Sequence, residues 1–349
     1  MIRLPNIEIL DVNSVLDYET VAHTFREQLA DAQGVWVVYW QNEVVDPNGM
    51  VPLALELHAR EEPFDAQFWQ LHLKHFVDLD HSATAWELPA PMPHGDNFGH
   101  LITLRSNETL PNNDLLLVWQ RDPDGQPPPE DLWITGEVRN QAQVVLKRIS
   151  ERRPASYAYP TGRWRPGETV IGRIPAADLL EPGALPNEYE LYLTLFDPKG
   201  DLSGLDVYDA DGSPLGKQSI IPYQPQKAQP GVADPNALTW PQLVPGVYLQ
   251  PTLAKDSIAA GERLVVHLHW YLTQTVTSEN SYWLRLVNRE SGKVLSTQTI
   301  STTHLAKVTE DRLNQVLTES IVVKAAVDPG ASTVQLSADA EGQSPLAQL

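Results

Sequence analysis

The sequence predicts a mainly β protein: two tandem antiparallel β-sandwiches preceded by a small α/β segment. Three observations point there. From Phe98 onward, short alternating or apolar runs recur at close spacing, separated by turn clusters. Helical periodicity is confined to the first ninety or so residues. Proline makes up 29 of 349 residues, above the usual ~5%, which marks many turns and strand ends.

The α/β segment is expected over residues 1–92. Within 17–32, Val21, Phe25 and Leu29 recur at i, i+4 and i+8, the stripe of a helix, and Gly34 follows where a C-cap glycine sits. The run VWVVYW at 35–40 suits a buried strand. Asp46-Pro47-Asn48-Gly49 has turn chemistry, a fixed φ followed by residues that tolerate positive φ. A second helix is expected over 51–61 and another strand over 68–77. So small a piece is thin for a core of its own, so it should belong to something larger. Pro89-Ala90-Pro91-Met92-Pro93 reads as a linker.

Strands are then expected at 100–105, 115–120, 132–138, 143–149, 169–174, 189–196 and 204–208, with turns at Pro123-Asp124-Gly125, Pro166-Gly167 and Asp211-Gly212. These make a first sandwich over 95–224. A second Pro-rich linker spans 223–236, and the strand pattern resumes in a second sandwich over 237–349. The two halves repeat one another. LLLVW ending at Trp119 matches VVHLHW ending at Trp270, an offset of 151, and Trp133 in DLWITGEV matches Trp283 in SYWLRLVN, an offset of 150. A third match sets 167–171 against 317–322 at a similar offset. All four tryptophans are expected in the core, with the second strand of each copy plugging the space between its sheets.

Composition narrows the function. Apolar residues at 42% and charged residues at 20% describe a folded chain. With no cysteine, disulfides, thiolate nucleophiles and Cys-ligated zinc are excluded. The net charge of −20 argues against nucleic acid and anionic membranes. No apolar run reaches the ~18–20 residues of a bilayer span, and the first residues, MIRLPNIEIL, lack a secretory signal's apolar centre.

Ten tryptophans and eleven tyrosines on a β-sandwich invite a carbohydrate-binding reading. The candidate contacts are Tyr157, Tyr159, Arg163, Trp164 and Arg165, with Trp164 foremost among them, although packing on Pro160 and Pro166 is the first expectation for its indole. Lys147, Arg148, Arg152, Arg153, Arg163 and Arg165 form one basic cluster that could take an anion or pair with nearby carboxylates. His267 and His269 point to one face of a strand, a metal-compatible geometry, but no third ligand is marked and a solvated face is expected. Asp197, Asp201, Asp206, Asp209 and Asp211 crowd one stretch without the spacing of a calcium loop, so turns are expected there. No catalytic residue, cofactor or metal ligand is assigned, since no Gly-x-Ser-x-Gly or phosphate-binding loop is present.

One resemblance is specific. SYAYPTGRWRPGETV (156–170), followed by YELYLTLFDPKGDLSGLDVYDADG (189–212), is similar to a β-sandwich module of bacterial multispanning glycosyltransferases, the protein-mannosyltransferase and aminoarabinose-transferase superfamily of the GT-C class. Pro160, Thr161, Trp164, Gly167, Glu168, Tyr189, Glu190, Leu191, Phe196 and Asp197 carry the match. Residues 35–49 resemble the segment after the last membrane helix of such proteins. The membrane helices and the acidic loop that bears the catalytic aspartate have no counterpart here. The resemblance therefore implies a non-catalytic, extracytoplasmic accessory or binding module with a glycan or membrane-protein partner. A sugar-active hydrolase or lyase, and a structural cell-surface spacer, are the competing readings.

Overall fold

The computed structural model describes residues 18–39, 46–63, 72–82, 86, 92–200, 202–255, 263–277, 279–324, 332–337 and 345–348. Residues 89–91 of the first expected linker lie outside them.

The N-terminal segment has the expected alternation of helix and strand, with two corrections. The strand at 34–39 is not buried, since Trp36 is 47% and Val38 52% exposed. The second helix stops at His58, with 60–62 paired as a strand instead. Helix α1 (Tyr18–Gln28) buries Val21 and packs Phe25 and Leu29 on the same side, with the Phe25 ring edge-on to Trp86 at 5.1 Å. Strand β1 (Gly34–Tyr39) leads to α2 (Met50–His58), then β2 (Arg60–Glu62) and β3 (His72–Val77), in the antiparallel order β1-β3-β2. The residue before α2 is Gly49, which has no side chain to cap with. Asp46 caps from four residues upstream instead, accepting from the backbone N of Met50 at 2.7 Å and of Val51 at 2.9 Å. Among the described residues this segment forms no separate core. Its buried residues share one cluster with Leu110, Leu116 and Ile171 of the following sandwich.

The first sandwich places β4 (Met92–Phe98), β5 (Ile102–Thr109), β6 (Leu115–Arg121), β9 (Thr169–Ile174), β11 (Val207–Tyr208) and β12 (Pro214–Gly216) in one sheet, ordered β12-β11-β4-β5-β6-β9. The facing sheet holds β7 (Trp133–Asn140), β8 (Val145–Arg152), β10 (Tyr189–Phe196) and β13 (Ser219–Tyr223), ordered β13-β10-β7-β8. Strand β4 begins inside the expected linker. Pro93 pairs with Ser106, and the register shifts before Asp96 around Gly95 (φ 95°), so a bulge accommodates the missing donor.

The second sandwich pairs β14 (Gln242–Val244), β15 (Val247–Leu253), β16 (Arg263–Leu272) and β19 (Val316–Lys324) in the order β14-β15-β16-β19. Its other sheet is β18-β17-β20-β21, from β17 (Ser281–Asn288), β18 (Val294–Ser301), β20 (Ser332–Ser337) and β21 (Pro345–Gln348). These orders reproduce β4-β5-β6-β9 and β8-β7-β10-β13 of the first copy, strand for strand. Trp119 and Trp270 are fully buried at equivalent places, and each stands opposite its equivalent partner, Val170 or Leu317. Each copy has its own core.

Two further expectations are corrected. Trp133 and Trp283 do not plug the cores. The buried neighbours Ile134 and Leu284 take the inward positions, and period-2 alternation leaves both indoles half-buried on the outer faces. The Pro-rich stretch 223–236 is no free linker. It is a docked strap, with Ala228 fully buried in the second core.

That strap and the loop before β10 close on the outer edge of β19. Val232 pairs with Val316 and Ala184 with Thr318, and Val316 N donates to Val232 O and Thr318 N to Gly183 O, both at 2.8 Å. The approach demands glycine. A Cβ on Gly231 would lie 2.2 Å from Val316 O, and one on Gly183 (φ 79°) 2.5 Å from the same atom. Gly231→Ala is therefore expected to loosen the strap, lowering stability by roughly 1–3 kcal/mol and opening 224–236 to proteases. Limited proteolysis with mass mapping checks this, and cleavage no faster than in the wild type would contradict it.

Candidate functional site

The five residues singled out by sequence separate into two groups. Trp164 is 1% exposed and Tyr159 2%, both inside the first core, so neither can stack on a sugar. Tyr157, 79% exposed, lies outside with the side chains of Arg163 and Arg165.

The segment around Trp164 is a structural clamp. Trp164 Nε1 donates to Tyr159 O at 3.1 Å, and the Tyr159 hydroxyl donates to both oxygens of Glu168 at 3.0 Å. Glu168 also accepts from Arg165 N at 2.6 Å, and Arg121 Nη1 donates to Trp164 O at 2.5 Å. Burial, reinforced by the Glu168 charge, pushes the Tyr159 phenol upward, so it stays a neutral donor. Thr161 ties the clamp to the β6–β7 loop by donating to Pro129 O at 3.0 Å and accepting from Leu132 N at 2.9 Å. Every polar position of the PTGRWRPGE motif thus serves the fold.

The basic cluster is answered internally. Lys147 donates to Ala177 O and Leu180 O, Arg152 pairs with Asp178, and Arg148 with Glu137 at 3.2 Å. Arg153 grips Asp131 through Nε (2.6 Å) and Nη2 (2.9 Å) while its guanidinium lies 4.4 Å from the Tyr157 ring. Arg163 donates to Ala158 O at 3.2 Å.

His267 and His269 share the outer face of β16, 6.5 Å apart, and hydroxyls meet them: Ser320 at 2.8 Å on His267 Nδ1, and Thr252 at 2.9 Å on His269 Nε2. Burial, with His267 beside it, lowers the basicity of His269. In the Asp-rich stretch, Asp209 Oδ1 accepts from Asp211 N and Ser213 N, Asp197 Oδ1 accepts from Lys199 N, and Asp206 pairs with Lys217 at 2.9 Å. These are turn contacts, as expected. Asp201 lies outside the described residues.

What the sequence did not mark is a cleft of about 600 Å³ where the β7–β8 turn, the start of β10, the end of β5 and β13 converge. Its walls carry Glu108, Gln143, Glu188 and Glu190 over Ile220 and Tyr223, and among the described residues no lysine, arginine or histidine lines it. Gln141 Nε2 donates to Glu188 at 2.7 Å and Gln143 Nε2 to Glu190 at 2.8 Å, while the Tyr192 hydroxyl donates to Gln143 Oε1 at 2.8 Å. Glu108 Oε2 is buried and meets no hydrogen-bond partner among the described residues, and burial raises that carboxyl. Gln143 holds φ at 61°, an uncommon conformation for a residue with a side chain.

A second cleft, about 460 Å³, adjoins at the junction of the two sandwiches and shares Gln141, Glu188 and Gln224 with the first. There Glu319 accepts from Trp270 Nε1 at 2.8 Å and faces His304 Nε2 at 3.2 Å. None of these glutamines and glutamates forms a motif; topology alone assembles them. Comparison with protein-family models and with curated proteins finds no match to this chain.

Two stability outcomes follow from the clamp. Trp164→Ala should cost about 3–5 kcal/mol, as for other buried aromatics, read from urea unfolding; a loss under 1 kcal/mol would place the indole outside the core. The Arg153 hydrogen bonds hold the Asp131 carboxyl below its ordinary value. Asp131→Asn should therefore cost about 1–2 kcal/mol at neutral pH. A depressed folded-state carboxyl contributes stability above its unfolded value, about 4, and loses it as pH falls. The gap between wild type and variant should then close below about pH 4 in melts across pH, and a gap that persists at pH 2.5 would contradict the pairing.

Proposed function

We propose that this chain is a non-catalytic accessory module that binds a glycan, working outside the cytoplasm with a membrane glycosyltransferase of the GT-C class as its partner. The observation that carries the binding reading is the 600 Å³ cleft, which sets amide and carboxylate groups beside apolar surface. Sugars present the same mixture, hydroxyls around the ring edge and C–H groups on its faces. The compartment and the transferase partner rest on the resemblance of residues 156–170 and 189–212 to the sandwich modules of those enzymes.

The clamp bears on how that resemblance is used. Since Pro160, Thr161, Trp164, Gly167 and Glu168 build a corner of the sandwich, their pattern supports a shared module and carries no ligand role with it. The strap and glycine contacts suit a module that presents its two sandwiches in a fixed relation to a partner.

A glycan array probed with the full chain tests the reading. Binding to at least one class of glycan is expected, with the bound glycan recovered intact. Failure to bind any glycan, or release of reducing sugar from a bound one, would overturn it.

A further inference from the structure

We propose that the cleft over β10 and β13 is the ligand site and that it takes a neutral oligosaccharide, read by Glu108, Gln143 and Glu190 with Ile220 as its apolar shelf. This rests on the glycan-binding reading above and goes on to name the site and the sugar class.

The first support is the unmatched group. Glu108 Oε2 is buried without a hydrogen-bond partner among the described residues. Leaving such an atom unmet is a cost to folding, and a ligand hydroxyl that the Glu108 side chain turns to meet recovers that cost on binding. A sugar hydroxyl is such a partner, since it can donate to the carboxyl oxygen.

The second support is charge. Glu188 and Glu190 already accept from Gln141 and Gln143, and Glu190 also accepts from the Tyr192 hydroxyl at 3.1 Å. Among the described residues no cation lines the large cleft, and the whole chain carries −20. A uronate or sugar phosphate would enter against that field, and Lys217 of the adjoining depression is already held by Asp206 at 2.9 Å and by Gly204 O at 2.8 Å. The carboxylates of Glu188 and Glu190 are engaged with amides, which leaves hydroxyl-scale hydrogen bonding as the open chemistry.

The third support is extent. Tyr192 and Ile220 stand directly opposite each other across β10 and β13, and Ile220 is 47% exposed. Ile220 lines the large cleft on one side and, on the other, a depression of about 390 Å³ bounded by Tyr192, Thr194, Ser203, Leu215, Lys217 and Gln218. The two hollows thus adjoin across one aliphatic side chain, which suits a chain of sugars better than a single ring. Gln143 fits the same picture. Its left-handed backbone at the β7–β8 turn is a cost to folding, and the side chain so placed bridges Glu190 and Tyr192 at the cleft wall.

The test is isothermal titration calorimetry of the full chain with cellotetraose, mannotetraose and maltotetraose, alongside a chitosan tetramer and a tetragalacturonate. At least one neutral tetramer is expected to bind, and the galacturonate is not. Glu108→Ala should weaken that binding about tenfold, Glu108→Gln should stay within about threefold because an amide also donates and accepts, and Ile220→Asp should abolish it. Gln143→Gly should keep or raise the melting temperature while weakening binding, since glycine relieves the backbone cost. Tyr157→Ala should bind as wild type does. Should Glu108→Ala lose its fold, the exposed Ile220→Asp still decides the matter. If wild type binds a neutral tetramer and Ile220→Asp binds equally well, the site lies elsewhere and this inference falls while the module reading stands. Binding confined to the amine-bearing or acidic tetramer overturns the neutral class. Absence of binding here and across the array removes both.

Discussion

The backbone of Val316 is where the molecule is locked. Its carbonyl sits against Gly183 on one side and Gly231 on the other, and any side chain at either position would collide with it. Backbone hydrogen bonds from Val316 and Thr318 then seal an edge that β19 would otherwise present to solvent. Much follows from that contact. Leu185 and Ala228, which belong to the first copy and the strap by sequence, end up in the core of the second. Asn140 donates to Ser320 O at 2.7 Å and Arg263 to Ala142 O at 2.9 Å, so the β7–β8 turn is held from both sandwiches. That turn supplies one wall of each cleft, and the lock therefore sets the shape of the binding surface.

The β architecture was legible because strand burial writes itself into period-2 patterns and because the chain says the same thing twice. Strands β9 and β10 fall on the expected residues, and the Trp119–Trp270 equivalence marks the same position in both copies. Prolines misled, for a physical reason. A cluster of them signals lost donors and extended backbone, which fits a linker, a bulged edge strand such as β4, or a docked strap equally well. Only long-range pairing separates these. Trp133 and Trp283 failed similarly: size and aromaticity favour burial, but the alternation set by Ile134 and Leu284 decides the face.

The site was far less legible. Trp164 and its arginine neighbours are conspicuous in the sequence because a tight corner needs a large plug, a buried carboxylate and fixed prolines. Glu108, Gln143, Glu190 and Ile220 are unremarkable residue types on four separate segments, brought together by strand order. The basic cluster shows the converse. Six cations within nineteen residues look like an anion site, yet Asp131, Asp178, Glu137 and Glu168 answer most of them.

The two copies differ most in what their outer faces touch. With Trp119 and Trp270 superposed, Leu116 and Val118 occupy the places of His267 and His269, and Ile171 that of Thr318. In the first copy that face is greasy because α1, α2 and their strands lie over it; in the second it is wet and studded with imidazoles and hydroxyls. A symmetric duplication has thus acquired a roof on one half alone. Anyone trimming the protein into pieces inherits that asymmetry: the first half and its covering are, chemically, one object, whereas the second half must carry with it the strap and the loop bearing Leu185 that complete its core.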